Sequence, residues 1–290
     1  MKRTTIISLL VTLIFLFTTN LFSQNTLLWE ISGNGLSAPS YLFGTIHIAD
    51  KRAYQFNDSV LPKLNECQAF AMEINMDSVD ETSLLGKMMI EDGKTLEDIY
   101  SKKDYKMIKA ALKKSTGFDI SLFNSVKPFV ILTMIEASKP AKSSMEDALD
   151  IYLSKQAKDK GKKVIGIETI DEQMDVISKM PPGMVIDYIK NMGKQDKMTE
   201  QLIDAYSLQQ LDKIKSIMDN SGNALGAEFN KEILTKRNYI MADRISTFIA
   251  SETLFIAIGS GHLPGDEGVI SLLKKKGFTV SPIIAPHTNK

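Results

Sequence analysis

Leu254-Phe255-Ile256-Ala257-Ile258-Gly259-Ser260-Gly261-His262 is the stretch whose reading decides the fold. Five consecutive apolar residues closed by glycine read as the clearest strand in the chain. A helix is expected next, over residues 267–276, and then an apolar Phe278-Thr279-Val280. The same arrangement stands near the start, where Tyr41-Leu42-Phe43 runs into Gly44-Thr45-Ile46-His47. In both places a glycine precedes a histidine by three residues, directly after a strand. Glycine there lets the backbone turn sharply and present an imidazole at the strand's carboxyl end. The chain has only 3 histidines in 290 residues, and two of them occupy this setting. The two ends of the chain are therefore expected to fold together around one site.

Working outward, apolar runs at 27–31 and 41–43 flank Ser32-Gly33-Asn34-Gly35-Leu36-Ser37-Ala38-Pro39, which reads as a β-hairpin with a long loop. A short helix over 58–65 leads to Ala69-Phe70-Ala71-Met72-Glu73-Ile74, a buried-strand candidate with one carboxylate set into it. Residues 79–159 carry helical periodicity, including an apolar run from Val126 with Pro128 in its first turn. Lys162-Lys163-Val164-Ile165-Gly166-Ile167 is a further strand, ending at Glu168. More helices fill 170–250, with breaks expected at Pro181-Pro182-Gly183 and Ser221-Gly222-Asn223. The expected fold is α/β, with a central mixed β-sheet built from N- and C-terminal strands and a large helical middle region. Residues 24–290 read as one domain with a helical insertion at about 79–160.

The first 23 residues read as a secretory signal peptide, with Lys2 and Arg3, an apolar run from Ile6 to Phe17, and a polar break at Thr18-Thr19-Asn20. An uncleaved N-terminal anchor is the alternative, and contact with a membrane is expected only in that case. The expected location is secreted or periplasmic. The lone Cys67 forms no intramolecular disulfide and reads as a packing residue; a mature domain of this size can rely on its core. Basic and acidic residues balance at 35 each, so nothing favours nucleic acid as a partner.

The polar residues at strand ends are His47, Glu73, Glu168 and His262. Two imidazoles with one or two carboxylates are a ligand set for zinc, manganese or cobalt, and a remaining carboxylate can act as general base. Each histidine alone reads sooner as a hydrogen-bonded structural residue; the matched pair reverses that and favours a shared site. A carboxylate inside Phe70-Ala71-Met72-Glu73-Ile74 needs a partner if it is buried, although an outward-facing position on an edge strand would also satisfy it. On the helix over 231–250, Ile233, Arg237, Ile240, Met241, Arg244 and Phe248 share one face. The two arginines in this stripe either meet a buried acid or a substrate, or reach solvent from its margin. Gly261-His262-Leu263-Pro264-Gly265-Asp266-Glu267-Gly268 is glycine-rich but lacks phosphate-loop spacing. Glu146, Asp147 and Asp150 read as helix-start acids, and His287 stands in a Pro-flanked tail without an assigned role.

These residues, taken in order, resemble the TraB/GumN family, to which the Tiki proteases are related. The resemblance runs from Leu28-Trp29-Glu30-Ile31 and Ser40-Tyr41-Leu42-Phe43-Gly44-Thr45-Ile46-His47, through Glu73, Gly166-Ile167-Glu168-Thr169, Gln173 and Arg237-Asn238, to Ile258-Gly259-Ser260-Gly261-His262-Leu263-Pro264-Gly265 and Gly277-Phe278-Thr279-Val280. The resemblance implies two Gly-x-x-His motifs and a glutamate as the site, at His47, His262 and Glu73. It also implies a fold shared with erythromycin-esterase-like and ChaN-like proteins. Tiki members are described as metal-dependent proteases of secreted signalling proteins; other members are linked to polysaccharide gene clusters or peptide-pheromone shutdown.

The leading expectation is an exported metal-dependent hydrolase acting on peptides or secreted proteins. His47 and His262 would hold a divalent ion, with Glu73 as ligand or general base and Glu168 as a second carboxylate or an arginine's partner. Arg237 and Arg244 would steady the oxyanion or substrate, with Asn238 orienting it. Two alternatives stay open. One is a non-catalytic haem, metal or peptide binder. The other is a metal-free esterase using His47 and Glu73 as an acid/base pair.

Overall fold

In the computed structural model, residues 26–56, 58–139, 147–225 and 227–284 are described. The expected leader, Glu146 and His287 lie outside them. Six strands form one sheet: β1 (Leu28–Ser32), β2 (Ser40–Thr45), β3 (Ala69–Ile74), β4 (Lys163–Glu168), β5 (Leu254–Gly259) and β6 (Thr279–Pro282). Their spatial order is β4-β3-β5-β2-β1-β6. The four strands from β4 to β2 are parallel, and β1 runs antiparallel to both β2 and β6. The C-terminal strand β5 is thus inserted between two N-terminal strands, which unites the chain ends in one mixed sheet. Leu254 through Ile258 are all buried, as an unbroken apolar run on a central parallel strand requires.

Two apolar cores follow from this layout. Strand side chains and the helices Leu149–Asp159 and Arg237–Ile249 build the first, in which the Phe70 and Phe255 rings stack at 6.2 Å. Leu149, Leu153 and Ala157 place the last helix of the middle region on the sheet. The second core is helical, formed by Leu96, Ile108, Leu112, Ile131 and Ile135 with Met174 and Val185 from beyond β4. Pro128 does start a helix, Pro128–Ala137. The break expected at Ser221-Gly222-Asn223 is absent: one helix runs Leu211–Leu225 through it, and Gly222 is simply carried within the helix. The expected break at Pro181-Pro182-Gly183 does separate helices Ile170–Ile177 and Gly183–Lys190. Cys67 is buried, and burial pushes its thiol up to about 12. Among the described residues no helix is long and apolar enough to cross a membrane.

Candidate active site

The carboxyl ends of β3, β5 and β2 lie side by side and deliver Glu73, Gly259 and Thr45 to one place, with His262 and His47 just beyond the latter two strands. Crowding, rather than left-handed backbone, explains the glycines. Gly44 and Gly259 are not among the positive-φ residues. A Cβ on Gly44 would fall 3.1 Å from the Ser260 backbone. A Cβ on Gly259 would fall 3.1 Å from Glu73 Oε1 and 3.6 Å from His47 Nε2. Glycine is needed at both positions because the two loops and the carboxylate close on the strand ends.

Glu73 is the hub. Its Oε1 accepts from the Gly259 N–H at 2.7 Å and lies 3.5 Å from His47 Nε2 and 3.9 Å from His262 Nε2. Its Oε2 accepts from Arg237 Nη2 at 2.9 Å and from Gln173 Nε2 at 3.2 Å. β3 is an interior strand, so Glu73 does not face outward from an edge. Burial alone would raise its pKa, but the His47 hydrogen bond, the imidazoles and Arg237 hold the carboxyl well below the usual range.

The two imidazoles are held from behind in different ways. His262 is buried, and its Nδ1 lies 2.6 Å from Asn238 Oδ1. Asn238 Nδ2 donates to the Glu267 carbonyl at 2.8 Å, which fixes the amide so that its oxygen faces the ring. His262 therefore carries its proton on Nδ1 and presents the Nε2 lone pair to Glu73. Burial pulls its pKa down to about 4, so the ring is neutral at neutral pH. His47 is 55% exposed, and its Nδ1 lies 3.1 Å from Asp150 Oδ2. Hydrogen bonds to the Asp150 and Glu73 carboxylates push its pKa up to about 10. Supports continue outward. Tyr206, buried in helix Met192–Ser207, donates to the Gly44 carbonyl at 2.7 Å. Arg52 ties the segment after His47 to Glu200 and Asp204 of the same helix.

Arg237 joins the half-buried Glu73 to the buried Glu168. Its Nη2 lies 2.7 Å from Glu168 Oε2 as well as against Glu73, its Nε donates to Glu168 Oε1 at 2.9 Å, and its Nη1 donates to the Ile233 carbonyl. Glu168 is thereby an arginine partner with both oxygens engaged. Arg244 is not brought to this place; it binds Glu172 at 2.6 Å and the Ile167 carbonyl at 2.8 Å. The buried stripe of this helix is Asn238, Met241, Ala242, Ile245 and Ile249, so both arginines flank it rather than occupy it. A π-helical turn, Lys231–Lys236, precedes the helix and shifts its phase from that of an unbroken α-helix. Sequence reading assigned Asp150 to the helix dipole and gave no role to Tyr206 or Thr45. Thr45 is 1% exposed, and its Oγ1 has no hydrogen-bond partner among the described residues.

A cavity of about 450 Å³ opens onto this centre, lined by Thr45, His47, Glu73, Arg237 and His262. Residues 27–282 match the family model described as TraB/PrgY/gumN. The chain belongs to the TraB/PrgY/gumN family. It is 22% identical to the metalloprotease TIKI2 of Danio rerio, over 89% of this chain and 61% of that protein. It is 24% identical to the metalloprotease TIKI1 of the same fish, over 88% of this chain and 63% of the relative. For human metalloprotease TIKI1 the identity is 21%, over 88% and 61%. The chain thus spans about three fifths of the length of these curated relatives. No solved structure matches it.

The relatives' name raises the question of a metal. Among the described residues no three His, Cys, Asp or Glu side chains are already gathered as a metal-binding cluster. The donor chemistry nevertheless fits a divalent ion. Ligand atoms about 2.1 Å from a tetrahedral ion stand about 3.4 Å apart, close to the 3.5 and 3.9 Å between each imidazole Nε2 and Glu73 Oε1. Each imidazole also has its Nδ1 against an oxygen acceptor, the usual support for a metal-ligating histidine.

Proposed function

We propose that this TraB/PrgY/gumN member is an exported hydrolase that depends on a divalent metal and cleaves peptide bonds in peptides or secreted proteins. The observation that carries this is the convergence of His47 Nε2, His262 Nε2 and Glu73 Oε1 at the mouths of three adjacent strands, facing a cavity. His47, His262 and Glu73 would hold the ion, which would supply Lewis-acid polarisation of a carbonyl. Glu73 suits a ligand better than a base: a carboxylate held far below the usual range stays ionised but takes up protons poorly. Arg237 keeps Glu73 in place and balances its charge. Asn238 fixes the His262 tautomer, and Asp150 orients His47. Export rests on the leader read over residues 1–23, and the metalloprotease relatives support the peptidase chemistry.

The contact between His47 and Glu73 favours a second reading, an acid/base pair that works without metal. Elemental analysis of the purified chain, beside His47→Ala and His262→Ala, separates the two. Near-stoichiometric metal lost in both variants, with peptide cleavage abolished by chelator, is the expected result. Cleavage that survives exhaustive chelation would sink the metal-dependent reading in favour of the pair.

A further inference from the structure

The cavity over the histidines has two unlike walls. One carries the polar groups His47, Glu73, Gln173, Arg237 and His262, most of whose hydrogen-bonding atoms are already engaged. The other is apolar: Ile46 from the exit of β2, Leu202 and Met218 from two helices, and Ile233 and Leu234 from the π-helical turn. A second cavity of about 460 Å³ lies next door, lined by Lys215, Asp219, Thr235, Asp266 and Glu267, and is polar. Lys215 and Asp219 there neutralise each other at 2.6 Å.

Met218, Asn230, Leu234 and Gly261 line both cavities. The Met218 sulfur rests so close to Gly261 that a Cβ on the glycine would fall 2.2 Å from it. The thioether, packed over Gly261, is therefore the flexible, polarisable part of the partition between the two spaces, beside Asn230 and Leu234. An apolar side chain entering the first cavity gains by covering Ile46, Leu202, Met218, Ile233 and Leu234. A charged side chain covering the same apolar residues would give up part of its water shell without that gain.

Resting on the peptidase reading, we propose that the apolar wall is a side-chain pocket selecting peptides with a large aliphatic or aromatic residue beside the scissile bond, and that Met218 sets the pocket's depth. Binding and turnover test it separately. Acetyl-Ala-Xaa-Ala-amide peptides, with Xaa as Gly, Asp, Lys, Leu or Phe, are titrated into the full chain carrying 13C-methyl methionine. The Met218 signal is assigned by its absence in Met218→Gln. Leu and Phe peptides should shift that signal and bind at least about tenfold tighter than Asp or Lys peptides. Met218→Gln should cut the preference several-fold, and Met218→Ala, by opening the partition, should move it towards longer side chains. Equal binding of all peptides, or a preference untouched by Met218→Gln, would overturn the pocket. The same peptides, flanked by a fluorophore and quencher and supplied with manganese, cobalt or zinc, report cleavage. Apolar-selective binding without cleavage removes the hydrolase reading and leaves the pocket; cleavage without selectivity removes the pocket and leaves the hydrolase.

Discussion

His47 Nδ1 faces a carboxylate at 3.1 Å and His262 Nδ1 an amide oxygen at 2.6 Å, and that difference divides their properties. An amide orients a ring without charging it, so His262 stays neutral inside the protein. A carboxylate orients the ring and also makes it more basic, so Asp150 strengthens the donor power of His47. Asp150 Oδ2 is committed to His47, while its other oxygen is buried without a partner among the described residues. Asp150→Asn keeps the shape and removes the charge. It should weaken divalent-metal binding by about 10- to 100-fold, read by competition against a chromophoric chelator, with the thermal melting curve nearly unchanged. Unaltered metal affinity would reduce Asp150 to a structural hydrogen-bond acceptor.

Strand β3 shows how one element serves both core and site. Its first residues, Ala69 through Met72, are buried between β4 and β5, and its fifth, Glu73, emerges at the site. Phe70 is fully buried and stacks on Phe255, so Phe70→Ala should lower stability by about 3–5 kcal/mol, seen as a lower urea midpoint at unchanged slope. The helices Ile170–Ile177 and Arg237–Ile249 are joined differently, through Glu172 and Arg244 at 2.6 Å. Arg244 first, and then the hydrogen bonds from Thr169, lower the Glu172 pKa from 4.5 to about 2 against the effect of burial. Because the folded-state value lies below the unfolded one, the pair's stabilisation is complete above pH 4.5 and disappears as pH falls through about 2. Glu172→Gln retains a group able to complete the capping box with Thr169. It should therefore cost about 1 kcal/mol or less at pH 7, since the pair is over a third exposed and screened. Urea unfolding of parent and variant should converge between pH 4.5 and 2; a gap that stays constant would show that the cost does not come from the Glu172–Arg244 charge pair.

At the scale of the molecule, what could be read in advance was what neighbouring residues specify. The strand Leu254–Gly259, the hairpin of β1 and β2, and the helix opened by Pro128 all follow from local pattern. Glu73 stood out because a carboxylate in an apolar run needs a partner. Asp150 did not, because an acid at a helix start has a local explanation, and only the packing of Leu149, Leu153 and Ala157 on the sheet sets it beside His47. Arg244 shares the face of Arg237 but stands two turns further along the helix, about 10.5 Å from it, where it meets Glu172 and the Ile167 carbonyl instead of the site. The site therefore belongs to the whole fold: His47, Glu73, Asp150, Arg237 and His262 meet only when the β2–β5 and β3–β5 pairings have formed. A metal held there must then bind the native state in preference to the unfolded chain, and its binding energy adds to global stability. Free metal at about a hundred times its dissociation constant stabilises by about 2.7 kcal/mol, a rise of about 5–10 °C in Tm for a chain of this size. Thermal unfolding with manganese, cobalt or zinc, against the same sample in chelator, should show that rise for the parent and none for His262→Ala. An equal rise in both would mean that the ion binds elsewhere on the surface, and that the strand mouths hold an imidazole–carboxylate pair rather than a metal centre.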